Sequence, residues 1–290
     1  MPADLALLPL SMASSSVAFS SFATCSTRCT ELYSPGVTDY DLAHTPSFEL
    51  EERHLQDWLS SGLNEKTVQE LGVRSSLNGD TWIIPIWDIG KIQIHGYRVR
   101  YNDEVISANK YPHRNGRVPK YRSYRIPNHF FYPHPQNTLW TRVARDTSIP
   151  IFITEGGKKA AKLTLEDYPA IGLFGVDCWM KRKERIHAGS KRLKSQIVPI
   201  EDFQDIRWKN RPVYIVFDSD KYSNSNVSHA ENLLLEYLRK ELQADCRIID
   251  LPCDPQAKGV DDFFVHNSTN AKRMFQELIA KARTLPTRAS

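Results

Sequence analysis

Asp218 and Asp220 stand two residues apart at the end of an apolar run, Val213-Tyr214-Ile215-Val216-Phe217. In extended chain such a pair points to one side, roughly 6–7 Å apart. Two carboxylates held that close repel, and one stays protonated unless a cation lies between them. A hard divalent ion answers that need. Magnesium, with manganese as the alternative, takes only one or two protein carboxylates beside substrate phosphates. Glu155 closes a second apolar run, Ile151-Phe152-Ile153-Thr154, and opens Glu155-Gly156-Gly157-Lys158-Lys159-Ala160. The two glycines permit a tight turn into a helix, whose first N–H groups face an anion. The spacing of a Walker phosphate loop is absent. Lys258-Gly259-Val260-Asp261-Asp262 follows a third apolar run and returns one cation, Lys258, and two acids to the same side.

These acids need a scaffold that delivers strand ends to one place. From Pro150 onward strands and helices alternate. Strands are expected at 151–154, 170–173, 213–217 and 246–250, with helices at 158–165 and 227–242 and a basic helical region at 179–193. That alternation predicts an α/β fold, a mostly parallel sheet flanked by helices. Open sheets of this kind bind ligands at the carboxyl edge of their strands, where Glu155, Asp218 and Asp220 fall.

The upstream half reads differently. Leu50, Leu55, Trp58 and Leu59 space an amphipathic helix over 48–60. Asn64 caps a second helix that runs through Leu71, and Gly72 ends it. The pair superficially suggests a helix-turn-helix. The mixed charges of the second helix (Glu65, Lys66, Gln69 and Glu70) do not suit a phosphate-lined groove. Strands are predicted at 82–87 and 92–101 around a turn at 88–91, placing Arg98 and Arg100 on one face. Between Lys91 and Arg145 stand eleven basic residues (Lys91, Arg98, Arg100, Lys110, Arg114, Arg117, Lys120, Arg122, Arg125, Arg142, Arg145) against two acids, Asp103 and Glu104. The whole chain carries only +4, so this local excess points to a polyanionic partner. The segments are therefore a disordered low-complexity leader (1–45), a small basic α+β subdomain (46–148), the α/β domain (149–270) and a C-terminal helix and tail (271–290). The five cysteines make no Cys-x-x-Cys pair, which argues against a zinc ribbon and for a reduced, cytoplasmic protein. No apolar run approaches membrane-spanning length.

In their order, the strand-Glu-Gly, Gly-rich second turn, strand-Asp-x-Asp and Lys-Gly-x-Asp-Asp motifs between Pro150 and Val265 resemble the Toprim domain shared by topoisomerases and bacterial-type primases. The Glu155–Ala160 variant, Gly172-Leu173-Phe174-Gly175-Val176 and Lys258–Asp262 look most like an uncharacterised Toprim-like family of plasmid and mobile-element replication proteins. Upstream, Ile84-Pro85-Ile86-Trp87-Asp88, Gly96-Tyr97-Arg98-Val99-Arg100 and Pro119-Lys120-Tyr121 are similar to the basic subdomain that precedes Toprim in phage and bacterial primases. The resemblance implies that Glu155, Asp218 and Asp220 hold magnesium. It further implies that Arg98, Arg100, Lys120 and Lys110 contact single-stranded DNA or nucleoside triphosphate. Where many Toprim proteins have Asp, this chain has Lys158 or Lys159, either a direct phosphate contact or a sign that the apparatus has changed. No zinc module and no helicase motor is visible, so a separate helicase is an expected partner.

Three readings follow. The first is a primase-like nucleotidyltransferase, in which Glu155 is either a metal ligand or a proton acceptor. The second is a nuclease using the same acids. The third is a non-catalytic single-strand-binding accessory protein. In the first reading Tyr101, Tyr121 and Tyr124 are candidates for stacking on single-stranded bases, with packing in the core or on the surface as the alternative for each.

Overall fold

The computed structural model describes residues 37–113, 115–124, 126–133, 139–182, 197–219 and 224–284. Asp220, Arg114, Arg125 and most of the expected leader, with Cys25 and Cys29, lie outside the described residues. Helix α1 (Asp39–Leu42) falls inside the expected leader, its first turn held by the Thr38 hydroxyl and the Asp41 carboxylate. Helix α2 (Glu52–Leu59) begins later than the apolar spacing suggested. Phe48 is fully exposed and contributes nothing to the buried face. Helix α3 (Glu65–Leu71) has the expected ends: Asn64 Oδ1 accepts from the Thr67 N–H at 2.8 Å, and Gly72 closes it at φ 77°.

Strands β1 (Arg74–Ser75), β2 (Thr81–Trp87), β3 (Ile94–Tyr101) and β4 (Tyr121–Tyr124), with the short helix α4 (Asp103–Ser107) after β3, build an antiparallel sheet in the order β1-β2-β3-β4. Register sorts its side chains. Arg100 pairs with Trp82 and Tyr121, and Arg98 with Ile84 and Ser123. Those residues share one face, because side chains alternate along a strand and directly opposed residues point the same way. Tyr101 falls on the other face. It is fully buried, with its hydroxyl 2.5 Å from His44 Nε2, and so is a core residue rather than a platform for bases.

Helix α5 (Leu139–Arg145) leads into β5 (Ile151–Glu155), α6 (Gly157–Leu165) and β6 (Ala170–Leu173). The start of the expected basic helical region is instead a strand, β7 (Met180–Arg182), paired antiparallel with β8 (Ile197–Pro199); residues 183–196 lie outside the described set. Then come β9 (Pro212–Ile215), α7 (Ser225–Lys240), β10 (Asp245–Ile248), α8 (Val260–Asn267) and α9 (Ala271–Ala280). β10, β9, β5 and β6 lie side by side, all parallel, which is the expected fold class. Each edge strand carries an isolated antiparallel bridge, Phe131 on Gly172 and Arg283 on Ile248.

The chain from Thr38 onward clusters as one unit. One hydrophobic core joins its parts: Trp58, Val68, Trp82 and Ile84 from the N-terminal half pack with Phe152, Ala160, Leu163, Phe264 and Phe275. No helix among the described residues is long and apolar enough to cross a membrane. Cys178, Cys246 and Cys253 form no disulfide.

Candidate active site

β5 and β9 are neighbours whose outgoing connections diverge. β5 runs through α6 to β6 on one side, and β9 runs through α7 to β10 on the other. A crevice opens at such a switch point, outside the carboxyl ends of the strands. Glu155 is the last residue of β5, and Asp218 follows the end of β9 by three. Gly156 takes φ 101°, a conformation that favours glycine, and so turns the chain at once into α6. Gly172 on β6 permits a close approach, since a Cβ there would come within 2.9 Å of the Gly156 carbonyl oxygen.

A cavity of about 290 Å³ lies at this crevice. Glu155, Lys159, Asp218, Asp261 and Asp262 line it from the parallel sheet, and Arg98, Lys120, Tyr121, Trp58 and Trp82 from the other side. Of the residues singled out from sequence, Glu155, Asp218, Arg98, Lys120, Lys158 and Lys159 therefore meet in one place. Arg100 lies on the same sheet face but outside the cavity lining. Lys110 lies outside the lining, bonded to Asp80 at 2.7 Å and 3.7 Å from Asp39; the Asp80 hydrogen bond pushes its ammonium pKa up. Lys258 is exposed and also outside the lining; its carbonyl accepts from the Ser219 N–H at 3.0 Å.

The two lysines of the glutamate motif go different ways. Lys159 turns inward, with Nζ 2.6 Å from Asp218 Oδ2. Burial pushes its ammonium toward the neutral form, but Asp218, Asp261 and Glu155 more than offset that, and its pKa is raised. Lys158, one residue earlier and so about 100° around the helix, turns to α2. It donates to the Asp57 carbonyl at 2.8 Å and to Asp57 Oδ1 at 3.1 Å. Asp57 also accepts from Trp82 Nε1 at 2.9 Å and lies 4.0 Å from Arg100 Nε. Burial pushes the Asp57 carboxyl up, yet Lys158, Arg100 and the indole N–H together hold it below its ordinary value.

Arg98 is built into the wall. Its guanidinium lies 4.8 Å from the Phe174 ring and 5.6 Å from that of Tyr121. It donates to Ser123 Oγ at 2.9 Å and to the Phe174 carbonyl at 3.1 Å. Burial lowers its pKa, but arginine keeps its charge at any working pH. Arg98 thus adds a positive charge to the cavity wall from a fixed position.

One site residue escaped the sequence reading, and a second was read without a role. Asp57 carried no motif; it is one acid on an amphipathic helix, and only the fold brings it to Lys158 and Arg100. Asp261 was brought to the same side as the other acids by the Lys258–Asp262 motif but was given no role there. It is 5% exposed, lines the cavity, and its Oδ1 is buried with no hydrogen-bond partner among the described residues.

The donor set is all oxygen. Among the described residues no three acidic, imidazole or thiol groups stand close enough to cage a metal by themselves. Glu155, Asp218 and the buried oxygen of Asp261 nevertheless suit a hard cation that takes one or two protein carboxylates and completes its shell with substrate and water. Asp220 lies outside the described residues.

Among known proteins, a family described as a domain of unknown function (DUF3854) matches residues 139–271. An uncharacterized protein of Picosynechococcus sp. is 29% identical over 140 residues, covering 48% of this chain and 14% of that protein. Solved primase domains are similar in overall shape. The zinc-binding and RNA polymerase domains of the Aquifex aeolicus primase give a TM-score of 0.49 at 13% identity, over 80% of this chain and 56% of that one. The primase fragment of the bacteriophage T7 primase-helicase gives 0.44 at 14% identity, over 85% and 81%.

Proposed function

We propose that this chain is a primase-like nucleotidyltransferase that joins nucleoside triphosphates on a single-stranded DNA template. The observation that carries the reading is the meeting of Glu155 and Asp218, from two diverging strands, with Lys159, Arg98 and Lys120 in one crevice. That combination offers acids for a divalent cation and fixed positive charge for phosphate in the same space.

In the proposed reaction a 3′-hydroxyl attacks the α-phosphate, its proton is lost, and pyrophosphate leaves with the bonding pair. Magnesium, or manganese in its place, would supply charge neutralisation and alignment when bound, held by Asp218, Glu155 and, by the motif resemblance, Asp220. Glu155 serves as ligand or as proton acceptor, two roles that its position at the strand end supports equally. Lys120, exposed at the cavity mouth, is placed to take phosphate oxygens, and such contacts fix register without reading sequence. Arg98 contributes its charge from the wall, and Tyr121 an aromatic surface beside it. A separate helicase as partner and a setting in plasmid or mobile-element replication rest on the motif resemblance alone.

The test is incorporation of labelled nucleotides on single-stranded DNA with magnesium, comparing the wild type with Asp218→Asn. The expected result is incorporation by the wild type and a loss of roughly a hundredfold or more in the variant. Strand cleavage in place of incorporation makes the protein a nuclease. Undiminished DNA binding by Asp218→Asn, with no turnover by either protein, makes it an accessory factor and overturns the proposal.

A further inference from the structure

We propose that the Lys159 ammonium is the resident cation of the acidic pocket, neutralising Asp218 and Asp261 until a divalent ion displaces it, so that Lys159 sets the pocket's metal affinity. This rests on reading the pocket as a metal centre.

Asp218 and Asp261 are both largely withdrawn from water, the second with a buried oxygen that no described group satisfies. Uncompensated charges in such a place are costly. The chain supplies the compensation for Asp218 itself: Lys159 Nζ stands 2.6 Å from Asp218 Oδ2, a charge-assisted contact.

The placement is built from two directions. Lys159 is the third residue of α6, which carries it past the end of β5. Its stem then runs along Gly259, the residue before α8. A Cβ at Gly259 would lie 2.5 Å from Lys159 Cε and 2.6 Å from Asp261 Oδ1. The absence of a side chain at 259 therefore leaves room for both the lysine stem and the acid it faces. Lys158 is by contrast engaged by Asp57, so one lysine of the pair is committed to the acids and the other to the scaffold.

An ammonium and a divalent ion cannot share Asp218 at close range without strong mutual repulsion. Entry of the ion must move the Lys159 head group off Asp218. A four-carbon stem allows that movement, and the displaced ammonium becomes available to a phosphate oxygen. The pocket is thus stable without metal and binds metal more weakly than its carboxylates alone would.

The experiment measures Mn²⁺ binding to the full chain by the electron paramagnetic resonance signal of unbound Mn²⁺, for wild type, Lys159→Met, Lys159→Arg and Asp218→Asn. Thermal melts are run with chelator and with Mn²⁺. The expected result is that Lys159→Met binds Mn²⁺ about tenfold or more tightly than the wild type, whereas Lys159→Arg does not. Lys159→Met should also melt lower in chelator and gain more from Mn²⁺. If wild type binds, Asp218→Asn does not, and Lys159→Met binds no more tightly than wild type, this proposal fails while the metal-centre reading stands. If neither wild type nor Lys159→Met binds, both fail. Should Lys159→Met not fold in chelator, Lys159→Gln takes its place. A chain that Mn²⁺ rescues supports the proposal, and one that folds under neither condition overturns it.

Discussion

Asp57→Ala probes how the N-terminal helix is tied to the candidate site. Asp57 receives Lys158 Nζ at 3.1 Å and Trp82 Nε1 at 2.9 Å, with Arg100 Nε 4.0 Å away. The side chains of Lys158 and Arg100 are only 20% and 13% exposed, against 27% for Asp57. Truncation would leave Lys158, a poorly hydrated cation, without its anion and the Trp82 indole N–H without its acceptor, while Arg100 would keep Asp103 at 3.3 Å. Breaking a fully buried ion pair costs about 3–5 kcal/mol, and a hydrogen bond to a charged group contributes about 1.5–3 kcal/mol. Partial exposure lowers the sum, so the expected cost is about 2–4 kcal/mol, or a fall in Tm of roughly 5–15 °C for a chain of this size. Urea unfolding at pH 7 reads it, and a double-mutant cycle with Lys158→Met isolates the pair, with an expected coupling of about 1–3 kcal/mol. The acid limb supplies an independent check. The Asp57 carboxyl is held below its ordinary value in the folded state, so its contribution is complete above the unfolded value near 3.9 and is lost as pH falls through the folded one. Asp57→Asn should flatten that limb. A cost under about 0.5 kcal/mol with no coupling would refute the idea that this acid fastens α2 to α6.

Two further perturbations test other parts of the fold. His129 Nδ1 lies 2.9 Å from Asp202 Oδ1 and its ring stacks on His95 at 4.4 Å. The Asp202 hydrogen bond raises its pKa above the ordinary value, so its stabilisation is complete below about pH 6.5 and lost as pH rises through the folded value. The stability difference between wild type and His129→Gln should therefore shrink by roughly 1 kcal/mol from pH 6 to 8.5, as measured by urea unfolding; a difference that grows with pH contradicts the assignment. Phe275 on α9 is fully buried against Phe152, Tyr168 and Phe264, so Phe275→Ala should cost about 3–5 kcal/mol. A near-neutral result in denaturant melts would make α9 an appendage rather than part of the core.

The parts of this fold that were legible in the sequence are those specified by local pattern. Ala170–Leu173 is the strand its apolar run suggests, and α3 begins and ends where Asn64 and Gly72 place its caps. A two-faced sheet buries its strands on both sides, so β5 and β9 read as continuous apolar runs, and the acids at their ends follow. Met180–Arg182 was misread because a short strand rich in charge carries no apolar period; its partner, Ile197–Pro199, lies fifteen residues on. Tyr101 was left between two readings for another reason. Its aromatic ring suits stacking on a base and packing in a core equally well, and only its register in β3, on the face opposite Arg98 and Arg100, decides between them.

The site itself shows where such reading stops. Sequence spacing placed like charges near one another and so required a cation between them. It left open whether that cation comes from solution or from the chain, because a lysine one turn into a helix is equally compatible with pointing in or out. Lys158 and Lys159 are chemically identical neighbours, and their fates are decided by groups far away in sequence: Asp57 draws one to the scaffold, and Asp218 with the gap at Gly259 draws the other into the pocket. Fifty-nine positions separate Lys159 from Asp218 and one hundred and one separate Lys158 from Asp57. A contact at such range leaves no periodicity to read. The chemistry of the pocket is therefore set less by the acids that announce it than by which of two adjacent lysines the fold turns toward them.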